Sequence, residues 1–142
     1  MLLSADHQGT SLLNAFRNNG RIGFGVAEAV ASLGSKVIII SSSSNKVSNA
    51  LDRLQSAYPD STIEGHAVSV TDTEKFVEVL KGFGEIDHLV YSAVDLLVRG
   101  PPEEIDLVKA KEGFDIKFWG AVTSVTGPSP QRWLERCKAH TQ

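Results

Sequence analysis

Residues 21–43 constrain the fold of this chain most, because they predict the turn, helix and second strand of a nucleotide-binding βαβ unit. Gly23 and Gly25 stand where the helix is expected to open, and a backbone without side chains lets a pyrophosphate approach the free N–H groups there. Gly34 supplies the left-handed residue that ends a helix. Residues 37–40 form a β-branched run without alternation, which is typical of a parallel strand covered on both faces.

Apolar residues at helical spacing predict three amphipathic helices along the chain. The third helix is expected to begin with a capping box, with Thr71 as its N-cap and Glu74 three residues later. The predicted buried faces are Val26, Ala27, Val30 and Leu33 in the first helix, Val47, Ala50, Leu51 and Leu54 in the second, and Phe76, Val79, Leu80 and Phe83 in the third.

The remaining segments complete an alternation of strands and helices. Residues 10–16 must supply the first strand, although Asn14 would place an amide in the sheet and the segment alone is equally consistent with a turn of helix. A polar turn at 17–20 follows. The third strand is expected within 62–70 and the fourth at 86–93, and a long helix at 107–125 follows the break at 101–104. This order predicts a Rossmann-like three-layer α/β/α fold with a parallel sheet and right-handed crossovers.

Composition excludes several classes of function. A chain of 142 residues has room for one core, and its net charge of −3 gives no broad attraction to nucleic acid or anionic membranes. The single cysteine, Cys137, excludes an internal disulfide. With His140 it has the spacing of two metal ligands, but without a second pair the sequence predicts no metal site. The absence of a signal-like start and of a long apolar run favours the cytoplasm.

Four segments in the right order give the chain a family resemblance. They are 22–29 after the first strand, 66–72 at the third strand, 86–93 at the fourth, and 114–120 in the long helix. Together they resemble the amino-terminal half of the short-chain dehydrogenase/reductase superfamily. The resemblance implies a Rossmann sheet and hydride exchange between NAD(P)H and a carbonyl or alcohol. It divides the chain into a divergent segment at 1–20, a nucleotide-binding domain at 21–125 and a divergent tail at 126–142.

The resemblance and the spacing together place a cofactor site. The residue that contacts the ribose 2′ position, and so selects between NAD and NADP, follows the glycine turn by about 20 positions. In this sequence that residue is Ser43. No acidic residue lies between Gly34 and Ala50, so a hydroxyl-rich loop with Lys46 favours NADP over NAD. The cofactor-binding positions are expected to be Arg21, Ile22, Gly23, Ser43, Lys46, Ser69, Val70, Ser92 and Ala93.

Departures from the family bear on catalysis. Ser69 stands where the family has an aspartate, and Lys117 where it has its active-site asparagine. Neither Tyr58 nor Tyr91 is followed four residues later by lysine, so the catalytic Tyr-x-x-x-Lys pair is absent from the sequence. No catalytic residue is therefore assigned, Tyr91 is interpreted as structural, and a truncated form without turnover of its own is expected.

Two other readings remain open. The chain can be a non-enzymatic interaction module or a relic that has lost its cofactor, associating through the helix at 107–125, which family members commonly use for oligomers. A flavodoxin-like or receiver-like domain also suits this length. A receiver needs clustered carboxylates at strand ends, and the first strand is followed instead by Arg-Asn-Asn at 17–19.

Overall fold

A computed structural model describes residues 10–14, 21–84, 86–94 and 100–127. The described residues form two compact units. The first unit runs to Ser69 and includes residues 86–94, and the second runs from Val70 to Gly84 and includes residues 100–127. The predictions for Ala15, Phe16, the turn at 17–20, the Cys137–His140 pair and the tail from 128 lie outside the described residues.

The first unit is a parallel α/β sheet with two helices. Its elements are β1 (Thr10–Asn14), α1 (Arg21–Ser32), β2 (Lys36–Ser41), α2 (Ser44–Ala57), β3 (Ile63–Ala67) and β4 (His88–Tyr91). The strand order is β3-β2-β1-β4, and every pairing is parallel. Leu12 of β1 lies opposite Ile38 on one side and Leu89 on the other. The predicted strand at 10–16 is therefore confirmed over its described part, and Asn14 does lie in the central strand.

The core of this unit lies between β2 and the two helices. Val37 and Ile39 are buried against small and branched residues of α1 and α2, among them Ala27, Ala31 and Leu54. The intervening strand residues, Ile38 and Ile40, are fully buried as well. Because successive side chains of a strand point to opposite faces, both faces of β2 are covered, as its unbroken apolar run predicts.

The buried face of α1 differs from the predicted one. The buried positions are Phe24, Ala27 and Ala31, Val26 and Val30 are only partly covered, and Leu33 is exposed. Leu33 follows the last helical residue and lies in the turn between α1 and β2. Gly34 then adopts the predicted left-handed conformation, with φ 74°, and its N–H donates to the Ala31 carbonyl at 2.9 Å.

Helix α2 begins earlier than expected. The predicted polar loop at 41–46 is reduced to two residues, because Ser41 is the last residue of β2 and α2 begins at Ser44. Ser43 is the N-cap, and Lys46 lies in the first turn of the helix instead of in a loop. The predicted buried face is confirmed, with Val47, Ala50 and Leu54 buried and Leu51 partly covered.

The second unit is helical. It contains α3 (Thr73–Gly82), a 3-10 turn (Pro102–Glu104), α4 (Leu107–Phe114), a π-helical segment (Asp115–Trp119) and α5 (Gly120–Thr126). The last three correspond to the long helix predicted at 107–125.

The predicted capping box is wrong: Asp72, not Thr71, caps α3, and its carboxylate accepts from the Lys75 N–H at 3.5 Å. Asp72 caps the helix in preference to Thr71 because an ionised carboxylate oxygen is a stronger acceptor than a hydroxyl. The carboxylate also pairs with the Lys75 ammonium at 2.7 Å. This contact lowers the pKa of Asp72.

Candidate functional site

The carboxyl ends of the four strands define the candidate site. Parallel strands end at the same edge of a sheet, so the start of α1, Ser43 after β2, Ser69 after β3, and Ser92 with Ala93 after β4 all belong to one edge. The chain runs outward from β1 to β2 and β3, and then returns to β4 on the other side of β1. This reversal of strand order is the point where α/β sheets bind their ligands.

Helix α1 begins at this edge. It begins at Arg21 and has no acidic residue in its first turn. Its first N–H groups have no partner within the helix, and the helix dipole makes this end positive. Ile22 is 77% exposed and Gly23 is buried. The start of α1 therefore has the positive dipole end that favours an anionic ligand.

Gly25 does not open the helix as the sequence predicted. It lies in the second turn, it is exposed, and a Cβ added there would meet no atom within 4 Å. The helix begins at Arg21, upstream of both glycines. Of the two glycines, Gly23 alone lies in the first turn, whose N–H groups have no partner within the helix.

The start of α2 is a second place for an anion. Ser43 has extended backbone, with φ −116° and ψ 119°, and its hydroxyl makes no cap hydrogen bond. The first turn contains no acidic residue, and Lys46 is exposed there. The Ser43 N–H points back to the buried Ser41, whose Oγ accepts from it at 3.5 Å. The sequence analysis missed this role of Ser41, and its position at the end of β2 is the only signal for it.

The other predicted site residues occupy different surroundings. Ser69 and Ser92 are partly buried, each already makes an interaction, and Ala93 is buried. Val70 begins the second unit. Lys117 lies exposed in the π-helical segment of that unit.

Among the described residues, no group of three or more His, Cys, Asp or Glu side chains could hold a metal ion. None of the described helices is both long and apolar enough to cross a bilayer.

Tyr91 ends β4, opposite Asn14 of β1. Burial raises the pKa of Tyr91 to about 12. A catalytic tyrosine in proton transfer needs a pKa lowered toward neutrality, so the shift runs against such a role. The interpretation of Tyr91 as structural stays a prediction.

We expect the Tyr91 phenol to make stability fall at alkaline pH. In the folded protein the pKa of this phenol is about 12, above the value of 10.0 that it has when exposed. The free energy of unfolding that the neutral phenol contributes is therefore fully present below about pH 10 and is lost as the pH rises toward 12. Tyr91→Phe should flatten this decline, and denaturant unfolding at a series of pH values measures it. An alkaline decline of equal slope in Tyr91→Phe would contradict the expectation.

With this geometry established, comparison with known proteins decides the family. A family model described as an SDR-like Rossmann domain matches residues 8–129. The chain belongs to the short-chain dehydrogenase/reductase (SDR) superfamily. A curated relative, the short-chain dehydrogenase/reductase fsr5 of Gibberella fujikuroi, is 34% identical over 69% of this chain and 41% of its own length.

Solved SDR structures share the fold. A metagenomic short-chain oxidoreductase in complex with NADP has a TM-score of 0.75 at 17% identity, over 87% of this chain and 56% of its own. An NAD+-bound xylitol dehydrogenase has a TM-score of 0.74 at 18% identity, over 84% of this chain and 46% of its own. The chain thus spans about half the length of these SDR proteins, and the sheet edge described above belongs to a Rossmann-like fold.

Proposed function

We propose that this chain binds NADP(H) at the carboxyl edge of its sheet, with the pyrophosphate on the start of α1 and the ribose 2′-phosphate on the start of α2. The observation that carries the proposal is the start of α2. Its N-cap hydroxyl makes no cap bond, its first turn has no carboxylate, and Lys46 adds a positive charge. A 2′-phosphate gains from all three, whereas NAD selectivity ordinarily uses an acidic residue here.

The proposed site uses the predicted residues in distinct ways. Arg21, Ile22 and Gly23 form the turn that meets the pyrophosphate, and Ser43 with Lys46 meets the 2′-phosphate. Ser69 and Val70 follow β3, on the side of β2 where the adenine end lies in this family. Ser92 and Ala93 follow β4, beside the central strand, where they would flank the nicotinamide half of the cofactor.

The proposed reaction of the whole protein is hydride transfer between NADPH and a carbonyl or alcohol. These 142 residues contain no Tyr-x-x-x-Lys pair to supply the proton. We therefore expect cofactor binding without reductase turnover by this chain alone. Robust NADPH-dependent carbonyl reduction by the purified chain would overturn the second part of the proposal and leave the first intact.

Calorimetric titration with NADPH, with NADH as the comparison, tests the binding. Circular dichroism first establishes that the purified chain is folded. Saturable heat with NADPH and weaker heat with NADH supports the proposal. No heat with either nucleotide, from a folded chain, would refute it.

A second proposal concerns self-association through the long helix. Leu107, Phe114, Phe118 and Val125 lie at helical spacing and are all exposed, and Trp119 is exposed beside them. The rings of Phe114 and Phe118 stack at a centroid distance of 4.9 Å, and Trp119 lies edge-on to Phe118 at 5.1 Å, so the three exposed rings form the centre of an apolar stripe. Large exposed apolar patches mark protein interfaces, and a second copy of the chain would offer the same stripe in return.

We expect Phe118→Glu to shift this chain toward the monomer. A charge on the stripe cannot be desolvated without cost, so the dissociation constant of a dimer should rise by about 10-fold or more. Analytical ultracentrifugation over a concentration series measures it. Gln55→Glu adds the same charge at an exposed position of α2 and serves as the control. A wild-type chain that is monomeric at every concentration would refute self-association.

A further inference from the structure

The guanidinium of Arg53 lies on the ring of Phe24. Its central carbon is 3.8 Å from the ring centroid, well inside the range of a cation–π contact. Phe24 lies in the first turn of α1 and is buried in the core, with 8% of its surface exposed. Arg53 lies in the third turn of α2 and is exposed. The contact therefore joins the outer surface of α2 to the turn that offers its N–H groups at the sheet edge.

The direction of the two helices explains this reach. Helices α1 and α2 each follow a parallel strand and pack beside one another, so both begin at the carboxyl edge of the sheet. Long side chains on a helix lean toward its amino terminus, which carries the Arg53 head back toward the start of α1. In the described part of the chain no carboxylate pairs with Arg53. The Phe24 ring is therefore the contact that holds this cation.

We propose that Arg53 is a positioning residue for the dinucleotide site, holding the first turn of α1 in place through Phe24. The proposal rests on the proposed function only where it concerns the cofactor. Gly23 directly precedes Phe24, so a shift of the ring displaces the N–H groups that would meet the pyrophosphate. Helix ends fray readily, and a cation stacked on the ring of a first-turn residue opposes that fraying.

Amide hydrogen exchange tests the positioning without a ligand. Arg53→Met keeps an apolar stem and removes the cation, and Arg53→Lys restores the charge. In Arg53→Met, the amides at 25–28, which donate to the first-turn carbonyls, should exchange about 2- to 5-fold faster, as loss of an exposed cation–π contact implies. Arg53→Lys should recover part of the protection. Gln55→Met, at a nearby exposed position of α2, should change nothing.

Nucleotide titration of the same variants tests the link to the site. NADPH should bind about 2- to 5-fold more weakly to Arg53→Met than to the wild type, with an unfolding midpoint close to wild type. Unchanged exchange at 25–28, or equal acceleration throughout α1, α2 and β3, would overturn the positioning role. So would faster local exchange with unchanged NADPH affinity. If the wild type binds no nucleotide, the proposed function fails, while the exchange pattern still decides whether Arg53 holds the first turn of α1.

Discussion

Replacing Ser43 with aspartate is expected to weaken NADPH binding by about 10- to 100-fold and to leave NADH binding unchanged or improved. The carboxylate would face the ribose 2′ position at the start of α2. It would repel a 2′-phosphate, but it can accept a hydrogen bond from a free 2′-hydroxyl. Calorimetric titration of both nucleotides against the variant measures the change in preference.

The local structure should let this substitution change the charge at the start of α2 without destabilising the fold. Ser43 is an N-cap whose hydroxyl makes no cap bond, and aspartate is among the best N-cap residues, so the fold should not be destabilised. Ser43→Asn is the matched control, because it has nearly the same shape and capping ability without the charge. NADPH affinity should fall much further in the aspartate variant than in the asparagine variant. Equal affinities in the two variants would show that the start of α2 does not meet a phosphate.

Gly65→Ala is expected to destabilise the protein by about 1–3 kcal/mol, the usual range for overpacking a core. Gly65 lies in β3, directly beneath α2. A Cβ built there would overlap Cγ1 of Val47 and lie 2.9 Å from Cδ1 of Leu51. Val47 is buried and branched, so it cannot swing aside, and the helix must move away from the strand. Denaturant unfolding measures the loss.

Gly25→Ala is the control for this prediction. Gly25 is exposed within α1, and a Cβ there meets nothing within 4 Å. Alanine should therefore stabilise the protein by about 0.5–1 kcal/mol through its better helix propensity. If both alanine variants change stability by the same amount and in the same direction, close packing at Gly65 is not what requires the glycine.

Local patterns predicted most of the elements in this chain. The unbroken run at 37–40 predicted a strand buried on both faces, and Val47, Ala50 and Leu54 predicted the inner face of α2. These patterns work because the period of the hydrophobic residues directly reflects which surface faces the core. Helix boundaries were less predictable. Arg21 rather than Gly23 begins α1, and Asp72 rather than Thr71 caps α3, since neighbouring residues with similar propensities compete for each terminus.

The candidate site was only partly predictable, because several of its features depend on contacts between elements. The family resemblance and the spacing together led to Ser43, which lies at the start of α2 with a hydroxyl that makes no cap hydrogen bond. The supporting role of Ser41, the stack of Arg53 on Phe24 and the close packing of Gly65 beneath α2 left no trace in the local sequence. Each depends on how two elements pack against one another, which the residue types alone do not predict.

By itself, the sequence determined the alternation of strands and helices, the buried strand β2 and membership of a family that builds Rossmann-like domains. The tertiary structure alone decided that β4 lies beside β1, that the strand ends share one edge, and that Arg53 reaches the first turn of α1. The physical reason is range. Periodicity and capping act over a few neighbouring residues, whereas strand order and contacts between helices join residues far apart in the chain, where the free energy of packing the whole core decides the arrangement.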